Sequence, residues 1–380
     1  MNFKKIIWSN SKQKSEKDTL YLSIEDINHL ERIWTKYKII PQSIDEVQIN
    51  FIVDRHKLIR FIIKELDILL VVGGKFLITS THNSFHGNFI RSLDQIKYEF
   101  SVSTNGRYNM LEQKINKRQN NLVYVKQKNT LLQTDSIDKW SFGIITNGKK
   151  NKQVEDLIDS IVSQNIPNYE IIICGDFKSD KFPVILINDV KIENEIRGPI
   201  TIKKNKIVQQ SKYENLMLLH DRYLLPSDWF QRMKNYGNYF DLLAIPNIGP
   251  NGGRVNDWGE YNGKPSQIYR KTSAILPYST WSEDWYSNGG LLVIKKNLYN
   301  LIKLDDRLFW GELEDVQFSQ LANLNGLFYY IDLKNKIFTF SDRLIEFGQI
   351  DKLTSLKKHV YFYIVKIKNM INYFLNIHDK

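Results

Sequence analysis

Asn215-Leu216-Met217-Leu218-Leu219-His220-Asp221-Arg222-Tyr223 is a short apolar run that ends abruptly in three polar groups. A continuous run of that length reads as a strand buried on both faces of a sheet. Open α/β sheets bind ligands beyond the carboxyl ends of their strands, so His220 and Asp221 are placed where chemistry is expected. The structural alternative is a buried strand closed by a His-Asp hydrogen bond.

The flanking sequence extends the sheet. Upstream, Trp140 to Ile145 reads as a strand that runs into the polar turn Thr146-Asn147-Gly148. Val154, Leu157, Ile158, Ile161 and Val162 follow at helical spacing, and Pro167 stops that helix. Residues 169–176 form the next strand and end in Gly175-Asp176. The three pieces make a βαβ unit, right-handed if its strands are parallel. A third strand is expected over 182–187 and a helix over 205–214. Downstream, residues 245–264 hold five glycines and read as a long loop. Asn288-Gly289-Gly290 precedes another apolar strand. Paired glycines there suit either close backbone approach to a ligand or a plain hairpin turn. Glu314-Asp315 then opens an apolar helix that Asn325-Gly326 closes. A helix N-terminus favours an ionised carboxylate; the alternative reading of the pair is an N-terminal cap.

Taken together, residues 136–345 resemble the GT-A fold of glycosyltransferases, family 2 in particular. The carriers are "apolar strand, His220-Asp221-Arg222, Leu225-Pro226-x-x-Trp229" and "Glu314-Asp315-Val316, apolar helix, Gly326". His220 and Arg222 stand where the family has the outer two acids of Asp-x-Asp. The resemblance implies a mixed, mostly parallel sheet between helices and a nucleotide-sugar donor. It implies that Thr146 and Asn147 touch the nucleotide, that Asp176 reads the base edge (or merely forms a turn), and that Gly289 and Gly290 lie near the donor sugar. Lys203, Lys204 and Asn205 fall where the family often has a basic residue and Asn facing the diphosphate, though a solvated loop explains them equally. Asp315 becomes the general base of an inverting transfer, with Glu314 orienting the site or binding acceptor. Trp281, Trp285 and Trp310 are acceptor candidates, or core aromatics. A divalent cation, Mn²⁺ or Mg²⁺, is implied on the diphosphate. Asp221 offers it a hard oxygen and His220 a nitrogen that Mn²⁺ tolerates better. Arg222 cannot bind metal; it would meet phosphate directly or sit at the surface.

Residues 1–135 read as a separate α/β unit, a remnant or docking domain with no chemistry of its own, with helices expected over 27–37 and 56–69. Leu69-Leu70-Val71-Val72-Gly73-Gly74-Lys75-Phe76-Leu77-Ile78 is read as helix, Gly-Gly turn, strand. It resembles the late half of a class I methyltransferase domain, a partial Rossmann fold, with final strands at 98–102 and 122–126. No Gly-rich cofactor loop follows an early strand, so no methyl-donor binding is assigned. Residues 346–380 hold a basic amphipathic helix over 356–377 that suits either an anionic membrane surface or the protein's own core.

The chain has 380 residues, enough for two domains, and a formal net charge of +11. That balance favours an anionic partner. Its lysines are spread along the chain rather than clustered with aromatics, which argues against nucleic acid. One cysteine, Cys174, rules out an intrachain disulfide and agrees with a reducing compartment. The N-terminus is too short in apolar residues for a signal peptide, and no window of about 18 uncharged apolar residues exists. The expectation is therefore a cytoplasmic glycosyltransferase, at the inner face of the membrane if the last helix binds lipid. It would move sugar from a nucleotide-sugar donor to a glycan or lipid-linked acceptor in surface polysaccharide assembly. The competing class is a non-catalytic nucleotide- or glycan-binding protein.

Overall fold

The computed structural model describes residues 3–8, 17–23, 26, 30–52, 59–81, 89–115, 119–129, 135–178, 181–192, 197–261, 272–273, 276–279, 285–327 and 329–340. The first unit runs β1 (Lys5–Trp8), β2 (Thr19–Leu22), α1 (Ile33–Lys36), β3 (Ile44–Ile52), α2 (Ile59–Leu69), β4 (Leu70–Thr81), α3 (Phe89–Thr104), β5 (Tyr108–Ile115) and β6 (Gln119–Lys126). Its six-stranded sheet has the order β2-β1-β3-β4-β6-β5. The first four strands are parallel, and β6 runs against both β4 and β5.

The second unit opens with β7 (Lys139–Ile145), α4 (Asn151–Val162), β8 (Asn168–Cys174), β9 (Ile185–Ile187), α5 (Ile200–Gln210) and β10 (Asn215–His220). It continues with β11 (Tyr223–Leu224), α6 (Trp229–Tyr236), β12 (Leu242–Ala244), β13 (Asn247–Ile248), β14 (Trp258–Tyr261), β15 (Thr272–Ser273), β16 (Trp285–Ser287) and β17 (Leu291–Lys295). It closes with α7 (Lys296–Ile302), α8 (Glu314–Leu324), β18 (Tyr329–Ile331) and β19 (Ile337–Thr339). A seven-stranded sheet, β18-β12-β17-β10-β7-β8-β9, forms the centre. Strands β9, β8, β7 and β10 are parallel, and β17 runs against both of its neighbours. This is the mixed, mostly parallel α/β sheet expected from the sequence.

β10 is covered on both faces, as its unbroken apolar run requires. Met217 and Leu219 pack in one cluster with Val154, Leu157, Ile158 and Ile161 of α4. Leu216 and Leu218 pack in another with Ile207 and Val208 of α5. Alternation along one strand therefore feeds two helix layers. The polar residues begin where the strand leaves those layers.

Several expectations are corrected. Residues 98–102 belong to α3 rather than to a strand. Gly73 and Gly74 lie inside β4, which follows α2 without a turn. Helix α5 starts and ends earlier than 205–214. In the first unit α1 is a single turn, and residues 27–29 lie outside the described residues. The 245–264 segment is not all loop, since β13 and β14 lie within it. The 356–377 helix lies outside the described residues, among which no helix is long and apolar enough to cross a membrane.

The two sheets share one apolar cluster, and charged pairs seal the seam. Arg32 Nε donates to Glu65 at 2.7 Å and its guanidinium lies 4.0 Å from the Tyr330 ring centroid. Lys64 pairs with Asp241 at 2.6 Å, and Arg60 donates to the Asn323 carbonyl at 2.9 Å.

Candidate functional site

The ends of β7 and β8 are built against each other. Gly175 has φ +143°, and a Cβ added there would fall 2.1 Å from the Thr146 carbonyl oxygen. A Cβ on Gly148 (φ +78°) would fall 2.8 Å from the Asp176 carbonyl oxygen. Both obstacles are backbone, which cannot rotate aside. Gly175→Ala should therefore destabilise the fold by about 2–3 kcal/mol and loosen Thr146 and Asp176 together. Chemical denaturation of the variant checks this; a loss under about 0.5 kcal/mol would show that the turns are free to part.

Strand β10 brings its acid to this point. Thr146 Oγ1 donates to Asp221 Oδ2 at 2.8 Å, joining two residues from different strand ends. Buried Lys203 donates to the Thr146 carbonyl at 2.8 Å and pairs with Asp189. Buried Lys204, one residue on, donates to the Gly289 carbonyl. Consecutive residues of α5 thus reach two different loops of the site.

Gly289 is the hinge to the acidic pair. Its N–H donates to Asp315 Oδ2 at 2.9 Å, while Asp315 Oδ1 accepts from the Val316 N–H at 2.9 Å. A Cβ on Gly289 would fall 2.9 Å from Glu314 Oε1 and 3.0 Å from Asp315 Cβ. The turn before β17 therefore abuts the start of α8, where a side chain at 289 would displace the Glu314 carboxylate. Leu313 enters that helix in the left-handed region at φ 62°. The N-cap position is Leu313 and carries no side-chain cap bond, so neither acid caps the helix. Asp315 instead bridges the adjacent Val316 N–H and the turn at Gly289.

The electrostatics follow from burial. The Glu314 carboxyl is pushed up to about 7, first by burial and then by the Asp315 charge, with Lys204 opposing. Burial also raises Asp315, against the Gly289 and Val316 N–H groups and Lys204. Burial lowers the Lys204 ammonium, which Glu314 and Asp315 partly restore. Two carboxylates and one cation thus sit close enough to shift one another's protonation.

On the other side of the glycine pair, Gly290 accepts from the His220 N–H at 3.0 Å. A Cβ on Gly290 would fall 2.6 Å from the Tyr223 hydroxyl and 2.7 Å from Arg222 Nη2. His220 and Arg222 are half-buried there, and Asn147 and Asp176 are exposed. The Asn147 carboxamide accepts from the Lys149 N–H at 3.1 Å.

Three expectations change. Asn205 does not stand beside Lys204 as a ligand for phosphate. Its carboxamide is taken by the Tyr299 hydroxyl at 2.6 Å, the Leu304 carbonyl at 2.8 Å and Asp306 at 2.7 Å. Trp285 is a core residue, its ring tilted against Trp258 with centroids 4.5 Å apart and edge-on to Tyr329 at 4.9 Å, so it is not open to a sugar. No group of three or more His, Cys, Asp or Glu side chains gathers for a metal among the described residues. The donor set at His220-Asp221-Arg222 holds one carboxylate, already bonded by Thr146, and a cationic side chain in the third place; it does not fit a protein-held cation. Trp310 is 46% exposed. Trp281 lies outside the described residues.

One feature had no signal in the sequence reading. Asp257 is buried and accepts from Arg254 at 2.8 Å and from the Asn247 N–H at 3.1 Å. The Asp257 carbonyl then accepts from the Asn288 N–H at 3.2 Å. The glycine-rich loop is so tied to the residue before Gly289.

The chain matches no family model, and no curated protein matches it. Among solved structures it is similar to S. aureus TarS 1-349, with TM-score 0.37 and 16% identity over 53% of this chain and 60% of that chain. It is also similar to GalNAc-T7 with UDP, GalNAc and Mn²⁺, with TM-score 0.40 and 14% identity over 55% and 44% of the two chains. A third is the mannosyltransferase PcManGT from Pyrobaculum calidifontis in complex with GDP-Man and Mn²⁺, with TM-score 0.35 and 10% identity over 55% and 58%. The chain spans less than two thirds of the length of each of these structures.

Proposed function

We propose that the chain is a glycosyltransferase that takes a sugar from a nucleotide-sugar donor and passes it, with inversion, to a glycan or lipid-linked hydroxyl. The observation that carries this reading is the Gly289-Gly290 crossing. On one side Gly289 bonds Asp315 and Lys204; on the other Gly290 meets the end of β10, where Asp221 is bonded to Thr146. A base and a set of nucleotide-facing strand ends are thereby held a few residues apart.

The residues suit one displacement. The acceptor oxygen forms its bond to the anomeric carbon as the bond from that carbon to the diphosphate oxygen breaks. The electron pair leaves with the nucleoside diphosphate. The acceptor proton passes to Asp315, whose raised affinity for it comes from burial. Asp176 and Thr146 face the nucleoside, and Trp310 offers an exposed ring to the acceptor. Surface polysaccharide assembly is the setting we propose for such an acceptor. Divalent cations are the usual aid to a diphosphate leaving group, but the donor set here gives no step that we route through one.

A thermal-shift panel of UDP, GDP, dTDP and CMP on wild type and Asp221→Ala tests the donor class. A ligand that binds only the folded state raises the melting temperature. One nucleotide should stabilise wild type, and Asp221→Ala should lose most of that shift through the loosened Thr146 turn. If no nucleotide moves the wild-type melt, the donor assignment fails and a glycan-binding role takes its place.

A further inference from the structure

Of the eight arginines whose side chains lie among the described residues, seven form ion pairs with carboxylates. These are Arg32, Arg60, Arg107, Arg197, Arg232, Arg254 and Arg307. Arg222 is the exception: among the described residues no carboxylate pairs with it, although Asp221 is its neighbour, whose Oδ2 accepts from the Thr146 hydroxyl. Its guanidinium lies over Gly290, beside the Tyr223 hydroxyl. It is near enough to Lys204 for its charge to help lower that ammonium. A half-buried guanidinium with no ion pair among the described residues, bonded to the Tyr223 hydroxyl and next to a second buried cation, is a place for a ligand that brings two negative charges. Its planar fork matches phosphate oxygens.

We propose that Arg222 takes the role a divalent cation would have on the diphosphate, so that this site holds a nucleoside diphosphate without metal. The inference rests on the nucleotide-sugar reading and names how that same site meets its leaving group. When the bond to the anomeric carbon breaks, the electron pair stays on the diphosphate oxygen. The Arg222 guanidinium donates hydrogen bonds to that diphosphate, with Lys204 adding charge from behind the glycine pair. The proton balance is unchanged, because Arg222 stays protonated throughout. Replacement of the third acid by arginine removes a metal ligand and supplies a fixed positive charge in one change. That explains why the chain has no three-ligand cluster here among the described residues.

The test is calorimetric titration of UDP, GDP and dTDP into the full chain, in EDTA and in Mn²⁺. We examine wild type, Arg222→Ala, Arg222→Lys and Arg222→Asp, each with a thermal melt to establish folding. Wild type should bind its nucleoside diphosphate with Kd unchanged within about threefold between EDTA and Mn²⁺. Arg222→Ala should weaken binding by about ten- to hundredfold, the range of a lost charged hydrogen bond. Arg222→Lys should fall between, because it keeps the charge and loses the fork. Arg222→Asp should bind weakly in EDTA and regain affinity with Mn²⁺. Wild-type binding that disappears in EDTA overturns the inference and leaves the nucleotide-sugar reading intact. So does an Arg222→Ala chain that folds and binds as tightly as wild type. Absence of nucleoside-diphosphate binding to wild type under both conditions overturns the underlying reading itself.

Discussion

Asp315→Asn is expected to lower the turnover of sugar transfer by about 10²–10⁴-fold, the usual contribution of a positioned general base, with little change in nucleoside-diphosphate affinity. Asparagine keeps an acceptor for the Gly289 N–H and the shape of the turn. It cannot take the acceptor proton. The loss should therefore appear in kcat and spare KM for the donor. The pH profile separates this from a structural effect. Both carboxyls are raised by burial, Glu314 to about 7. Activity should then fall on the acid side above the ordinary carboxylate range, as the base takes up its proton. The Asp315 charge helps to raise Glu314, so Glu314 still holds its proton while Asp315 ionises; Glu314→Gln should leave the acid limb and the plateau close to those of wild type. The same shift acts on stability with the opposite sense. A carboxyl whose folded pKa is raised contributes stability at low pH that is lost as pH rises through the folded value. Glu314→Gln should accordingly raise the melting temperature at pH 8 and change it little at pH 5. An Asp315→Asn enzyme that keeps a tenth of wild-type kcat would remove Asp315 from the mechanism, and an acid limb lost in Glu314→Gln would assign the base to Glu314 instead.

Part of this site was legible because the sequence carries local constraints. β10 had to be continuous and apolar because α4 and α5 cover both its faces. The start of α8 was marked by two acids, an apolar helix and Gly326, all within one element. What could not be read depends on partners far along the chain. Asn205 stands one residue from Lys204, yet its carboxamide bonds Tyr299 and Leu304, 94 and 99 residues away. Trp285 looks like an exposed aromatic until β16 pairs with β14 and brings it onto Trp258. Residues 98–102 are a short apolar stretch of ambiguous period. Buried Ile96, Phe100, Ser103 and Thr104 show the helical spacing only when the flanks are included. The Gly-Gly pair in β4 was misread because its glycines serve a register shift between β3 and β4 rather than a chain reversal. The docking of the two units was the least visible, since it depends on charged residues in a core.

That docking gives the largest stability effect expected. Arg32 and Glu65 are 4% and 0% exposed, and they meet at 2.7 Å. Glu65 Oε2 also accepts from the Ile33 N–H at 3.1 Å, while Arg32 donates to the Tyr239 carbonyl and lies over Tyr330 of β18. Glu65 belongs to the first unit, Tyr239 and Tyr330 to the second; the guanidinium is the link. Breaking a buried pair by removing one partner leaves an uncompensated charge, at a cost of about 3–5 kcal/mol. Glu65→Ala should therefore lower the urea midpoint by that equivalent. It should do so for both units together, because their apolar residues share one cluster. Lys152→Ala removes half of an exposed pair whose lysine side chain is 78% exposed, and should leave the urea midpoint within error of wild type. The Arg32→Met/Glu65→Leu chain should recover at least half of the loss, since apolar replacement of a whole buried pair avoids the stranded charge. Tryptophan fluorescence reads both units, from Trp8 and Trp34 in the first and Trp140 and Trp229 in the second. A Glu65→Ala loss under about 1 kcal/mol, or two separate transitions already present in wild type, would show that the first unit merely rests on the second. A single transition that shifts as a whole would make the first unit part of the scaffold that fixes β12, β17 and, through them, the Gly289-Gly290 crossing.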